Sequence, residues 1–176
     1  MEISRREFVT AAVAAASVAA VPAYAVSDEP APSKKGEPMT TTLTPYLLFD
    51  GTCHQAMEFY RSCFGGELST TKVKDSPIKD HLPPAQQEKV LNAHLKLGSL
   101  EISASDWLAP NQTPRPGNTV CLFLSGGTRS ELEALFGKLS DSAEVTDPLK
   151  DVFFGTYGAL NDKFGVRWMF QTNSKN

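Results

Sequence analysis

Three histidines, His54, His81 and His94, are the chain's imidazoles and its first candidates for proton transfer or metal ligation. Only His94 stands in a pattern that could use it. Residues 89–97 and 100–105 each alternate polar and apolar side chains around Gly98-Ser99, the signature of a two-residue β-hairpin. Counting out from the turn pairs Leu97 with Leu100, Lys96 with Glu101, His94 with Ser103 and Asn92 with Ser105. The polar partners then share one face, and Leu91, Ala93, Leu95, Leu97, Leu100, Ile102 and Ala104 share the other. His94 and Glu101 become the candidate catalytic residues, His94 as general base or hydrogen-bond donor and Glu101 as a second proton-transfer group. A structural reading stands beside this one. His94 could be satisfied by Ser103 and water, and Glu101 by a cross-strand ion pair with Lys96. A general base also needs an orienting acid, which favours the structural reading for His94. His54, in the first turn of a helix, and His81, in a loop, have no expected partner.

The cysteines offer less. Cys53 and Cys63 fall on one expected helix about 15 Å apart, too far to bridge. Cys121 falls in an expected core strand, and all three read as small buried hydrophobes. Cys53 at a helix N-terminus could have a lowered thiol pKa, although no His or acid is arranged to use it.

The elements that position these residues are duplicated. Residues 42–67 and 118–143 align at a constant offset, Leu48 with Leu124, Gly51 with Gly127, Thr52 with Thr128, Gln55 with Glu131 and Tyr60 with Phe136. Each copy is a short apolar strand, a Gly turn, a capping Thr, and Gln or Glu three residues on, the pattern of a reciprocal capping box. The helices that follow, 53–64 and 129–139, carry apolar stripes at Ala56, Tyr60, Cys63, Phe64 and at Leu132, Leu135, Phe136, Leu139, spaced for packing on a sheet. The second unit continues through 144–155 and ends with a strand at 166–172. Residues 107–117, with three prolines, read as a linker loop. Residues 75–88 form a loop long enough to serve as a lid.

With 176 residues, 41% hydrophobic and 21% charged, the composition is that of one globular domain. A net charge of -3 with interleaved signs excludes the clustered basic field that nucleic-acid binding needs. Residues 1–25 read as an export signal: Arg5-Arg6, Phe8, an Ala/Val run and Ala23-Tyr24-Ala25 as a cleavage site. The twin-arginine form implies a periplasmic or extracellular location, with membrane contact only during export. Residues 26–42 read as a flexible tether. Met39 would make a sensible start for a cytosolic version, but the signal is too well formed for that reading.

The run Pro45-Tyr46-Leu47-Leu48-Phe49-Asp50-Gly51, then Ala56-Met57-Glu58-Phe59-Tyr60 and Phe64-Gly65-Gly66-Glu67, resembles the vicinal-oxygen-chelate superfamily of glyoxalases and bleomycin-resistance proteins, in its PhnB-like branch. Ala93-His94-Leu95 leading to Ser105-Asp106, and Tyr157-Gly158 followed by Asp162-Lys163-Phe164-Gly165-Val166-Arg167-Trp168, agree with it. The resemblance spans residues 43–173 and implies an α+β fold. Two βαβββ modules, about 43–106 and 118–173, would form a curled mixed sheet around a cleft, with helices on the convex side. It also implies a divalent metal held by His and Glu on the first, fourth, fifth and eighth strands. Here those positions carry Pro45, Val120 and Met169, with Glu101 or Ser103 on the fourth, so no metal site and no cofactor is expected.

Strand alternation places Leu47 and Phe49, then Val120, Leu122 and Leu124, then Arg167, Met169 and Gln171 on the cleft face with His94, Glu101 and Ser103. Trp168, Phe170, Cys121 and Phe123 would pack under the helices. The apolar trough suits a small amphiphilic or aromatic molecule, and Arg167 could clamp an acidic group. A binding protein, forming a homodimer, is the expected function. The alternatives are a metal-independent lyase- or isomerase-like enzyme using His94 or Glu101, and an oligomerisation module with a vestigial cleft. A ubiquinone-methyltransferase label, common in this branch, is rejected because no Gly-rich strand–helix loop is present for its cofactor.

Overall fold

The computed structural model describes residues 41–109 and 112–173. The export signal and all but the end of the tether, including Met39, lie outside the described residues. The elements run β1 (Tyr46–Phe49), α1 (Cys53–Phe64), β2 (Glu67–Lys72), β3 (Val90–Leu97), β4 (Leu100–Asp106), β5 (Leu122–Ser125), α2 (Arg129–Leu139), β6 (Glu144–Val152), β7 (Gly155–Asn161) and β8 (Arg167–Thr172). Both helices span the residues that their apolar stripes predict, and β5 and α2 repeat β1 and α1 at the offset read from the sequence. Strands β2 and β7 carry weak alternation and were not separately legible; only the family resemblance implied them.

Each module folds into its own four-stranded mixed sheet, ordered β1-β4-β3-β2 and β5-β8-β7-β6. The first strand of each module pairs parallel to the last, and the rest pair antiparallel. This is the expected α+β architecture of two βαβββ units, with sheets that curl without closing. The β3–β4 hairpin has the predicted register, with Leu97 opposite Leu100, Lys96 opposite Glu101 and His94 opposite Ser103. Gly66, at φ +89, lets the chain turn from α1 into β2; a Cβ there would lie 2.5 Å from the Lys96 carbonyl oxygen.

One continuous core joins the modules beneath the helices. It includes Phe49, Ala56, Met57, Tyr60, Leu95, Ile102 and Ala104 from the first, and Leu132, Leu139, Leu160, Trp168 and Phe170 from the second. Tyr60 of α1 stacks edge-on against Trp168 of β8 at 5.4 Å, and fully burying such rings stabilises by roughly 1.5–3 kcal/mol each.

Buried carboxylates close the frame. Asp162 accepts the Tyr60 hydroxyl at 2.7 Å and the Trp168 indole N–H at 2.8 Å on one oxygen, and the Phe164 and Val166 amides on the other. Burial, then the charge of Asp162, pushes the Tyr60 phenol well above its ordinary range. Asp106, at the end of β4, accepts the amides of Cys53 at 3.0 Å and Val90 at 2.8 Å.

The two helix starts differ from their common signature. Thr128 and Glu131 form the reciprocal capping box. Thr52 makes no side-chain cap bond; Asp106 satisfies the Cys53 amide in its place. The loop 73–89 forms three short 3₁₀ turns tied to the sheet rather than hanging over it. The Val73 amide donates to the Lys89 carbonyl, and Glu88 bridges Lys72 and Lys74 at 2.8 and 2.7 Å.

Candidate functional site

On the sheet face turned away from the helices, β4 is the centre of a polar cluster. His94 Nδ1 and Ser103 Oγ share a hydrogen bond of 3.0 Å, and Glu101 Oε1 stands 3.6 Å from His94 Nε2. That second distance is an ionic contact, effective when His94 is protonated, rather than a hydrogen bond. Cross-strand pairing explains the geometry, because His94 on β3 lies directly opposite Ser103, and Glu101, two residues back along β4, is its diagonal neighbour on the same face. β1 adds Tyr46 opposite Ser103, and β2 adds Ser69 opposite His94. The ion pair expected between Glu101 and Lys96 does not form; Glu101 turns to His94. His94 therefore has the adjacent acid that the sequence did not reveal, with both side chains half-exposed, at 35% and 39%.

Glu101 also stands at the rim of a groove of about 720 Å³, lined by Pro45, Leu100, Val120, Leu122 and Phe123 among others. The groove runs between the starts of β1 and β4 and the edge strand β5. It brings together Glu101, Val120, Leu122 and Leu124 of the residues expected on the cleft face, with His94 and Ser103 next to Glu101 on the hairpin.

The remaining expected residues are not gathered there. Phe49 is buried in the core and Leu47 packs against it, so β1 is turned over relative to the alternation expected for it. Tyr46 and Leu48, opposite Ser103 and Ser105, occupy the open face instead. Strand β5 is reversed in the same way. Leu122 and Leu124 lie opposite Trp168 and Phe170 on the core side, whereas Phe123 lies opposite Met169 on the open side and is 51% exposed. Cys121 is on that side too, its thiol 3.0 Å from the Met169 sulfur. The physical reason is common to both strands. Each is four residues of nearly uniform apolarity whose facing is set by its parallel partner, not by its own alternation. Strand β8 has the expected alternation, with Trp168 and Phe170 buried and Arg167, Met169 and Gln171 half-buried. Arg167 reaches Asn161 Oδ1 at 3.5 Å, and neither Arg167 nor Met169 lines the groove. Cys53 is fully buried, and burial and the adjacent Asp106 push its thiol up to about 12, the reverse of the activation that a helix N-terminus alone suggests.

Against known proteins, residues 41–171 match the family model described as 3-demethylubiquinone-9 3-methyltransferase. The chain is 30% identical to protein PA1353 from Pseudomonas aeruginosa, whose crystal structure it matches with a TM-score of 0.70 over 77% of this chain and all of that one. It is 28% identical to a putative 3-demethylubiquinone-9 3-methyltransferase, a PhnB protein from Bacillus cereus, with a TM-score of 0.60 over 75% of this chain and 99% of the other. A glyoxylase/bleomycin resistance protein/dioxygenase domain from Frankia shares the fold at 14% identity, with a TM-score of 0.52 over 78% of this chain and 96% of that one.

Proposed function

We propose a small-molecule-binding role for this protein, and the premise is its family: the chain belongs to the family described as 3-demethylubiquinone-9 3-methyltransferase and has the glyoxalase-like fold. Its ligand is a small amphiphilic or aromatic molecule in the groove between the modules. The observation that carries this reading is a charged group at an apolar trough: the Glu101 carboxylate, 3.6 Å from His94 Nε2, lining a groove of about 720 Å³. The methyl-transfer activity in the family's name is not carried over, because no Gly-x-Gly-x-x-Gly run follows a strand here.

The divalent ion of metal-dependent relatives of the fold does not fit this chain. The open faces of the four strands carry Tyr46 and Leu48, Glu101 and Ser103, Phe123, and Arg167 and Met169, a set with one carboxylate, and a hard cation needs several oxygen or imidazole donors. Among the described residues, no three His, Cys, Asp or Glu side chains converge elsewhere. The test is a thermal-shift screen of aromatic and amphiphilic acids and amines, with metal analysis of the same sample. A compound that stabilises the native protein and loses about tenfold in affinity in Glu101→Gln supports the reading. Near-stoichiometric bound metal, or a panel without a hit, sinks it.

A second reading, proton transfer, is favoured by the Ser103–His94–Glu101 arrangement, since a base flanked by an acid can be both oriented and charged. His94→Ala separates the two: an enzyme loses turnover with its fold intact, whereas a binder changes affinity modestly. Homodimerisation is supported by apolar side chains left open on the sheet faces, Tyr46, Leu48, Val120 and Phe123. Light scattering on the purified protein tests it. Export is supported by the Arg5-Arg6 signal, and N-terminal sequencing of the secreted form should begin near Val26.

A further inference from the structure

Two cavities outside the Glu101 groove, of about 750 and 620 Å³, carry both signs of charge. Glu144, Asp162 and Lys163 line the first, and Asp50 and Arg115 the second. Neither lining selects a ligand by its sign. The Glu101 groove does, because its lining holds one charged side chain, Glu101 itself, and no Lys, Arg or His.

The protein leaves that charge without a lasting partner. Lys96 lies directly opposite Glu101 on β3, yet the two make no ion pair among the described residues. His94 Nε2, at 3.6 Å, is beyond hydrogen-bonding distance and attracts the carboxylate only when protonated. A neutral ligand that covers the groove desolvates the carboxylate without replacing the lost water, and an anion adds repulsion. A cation offsets both costs. The other polar lining groups fit the same partner. Thr42, Thr44 and Ser99 line the groove, and a hydroxyl accepts from an N–H as well as donating. Leu43, Val120 and Phe123, 98%, 77% and 51% exposed, supply apolar surface for a hydrocarbon body to cover.

We infer that the groove selects an organic cation, a primary ammonium on an aromatic or alkyl body; this rests on the binding role proposed above and gives its ligand a sign. The ammonium pairs with Glu101 and donates to the neighbouring hydroxyls, and the body lies along Val120 and Phe123.

The test is a titration of the full chain at neutral pH with three probes of one shape: phenethylamine, phenethyl alcohol and hydrocinnamate. The methyl resonances of Val120 and Leu122 in ¹H–¹³C spectra report occupancy of the groove. Phenethylamine is expected to move them saturably and to bind about tenfold more tightly than the alcohol, the worth of one charge-assisted pair. Hydrocinnamate should be the weakest of the three. Glu101→Gln should bring the amine down to the level of the alcohol, with the rest of the spectrum in place to show an intact fold. Val120→Lys, at an exposed position on the rim, should weaken the amine and strengthen hydrocinnamate. An amine no tighter than the alcohol, or a preference that survives Glu101→Gln, would overturn the inference. Binding of the alcohol or the acid in preference to the amine refutes the cation and leaves the groove a binding site. No movement with any of the three at millimolar concentration refutes both.

Discussion

The starts of α1 and α2 carry the same signature, a Gly turn, a Thr and a Gln or Glu three residues on, and they are built differently. At α2 the box closes on itself: the Thr128 hydroxyl accepts the Glu131 amide, and the Glu131 carboxylate accepts the Thr128 amide at 2.8 Å. That bond from the Thr128 backbone holds the Glu131 carboxyl below its ordinary value. At α1 the first helical amide goes to Asp106, a residue 53 positions away on β4. The difference is one of surroundings. The start of α2 is exposed, so a local solution suffices. The start of α1 is packed against the sheet, where a buried carboxylate both caps the helix and ties the Val90 amide at the entry to β3. A capping signature thus marks where a helix begins and leaves open what satisfies it.

Breaking the tertiary carboxylates should have the largest effects. Asp162→Ala leaves two side-chain donors and two amides unsatisfied and is expected to cost on the order of 4 kcal/mol or more, read as a drop in the urea midpoint or as loss of folded protein. Asp106→Ala exposes the difference directly. Two buried amides lose their acceptor, at about 2–3 kcal/mol, and faster amide exchange should localise to the first turn of α1 and the start of β3.

The local caps sharpen the same contrast on a smaller scale. Thr128→Ala should cost about 1 kcal/mol, whereas Thr52→Ala should stay within about 0.5 kcal/mol. Equal losses in matched urea titrations would mean that the two helix starts are alike after all. The thiols offer a chemical check. With its pKa pushed up to about 12, Cys53 should resist a thiol reagent such as Ellman's at pH 8, and it should become reactive in Asp106→Ala as the helix start loosens.

The smallest effect belongs to the loop 73–89. Hydrogen bonds from Lys72 and Lys74 lower the Glu88 carboxyl from 4.5 to about 2. A depressed acid stabilises fully above its unfolded value, and that contribution is lost as pH falls from about 4.5 toward 2. Glu88 is exposed, so the change is modest. Glu88→Gln should flatten the acid limb of the urea midpoint slightly in that window, and an unchanged limb would show that the pair contributes nothing.

Much of the fold was legible because its signals are local. The 3.6-residue stripes delimit both helices, and the duplication at constant offset gave two matching modules. The polar–apolar period of 89–105, counted from Gly98-Ser99, gave the β3–β4 register and with it the His94–Ser103 pair. The candidate site was half legible. His94, Glu101 and Ser103 come together because one hairpin holds them, but the approach of Glu101 to His94 rather than to Lys96 is a side-chain choice that the register allows without dictating.

By itself, then, the sequence determined what lies within a turn or a hairpin: where helices start and stop, which residues share a face across a two-residue loop, and that the domain is built twice. Tertiary structure alone decided the facing of β1 and β5, the capping of α1 by Asp106, the inertness of Cys53 and the gathering of Glu101 with Val120 and Leu122. The physical reason is the distance along the chain over which each is fixed. A parallel pair such as Leu47 with Ala104, or a bond such as Tyr60 to Asp162 across 102 residues, is set by what the whole core must bury.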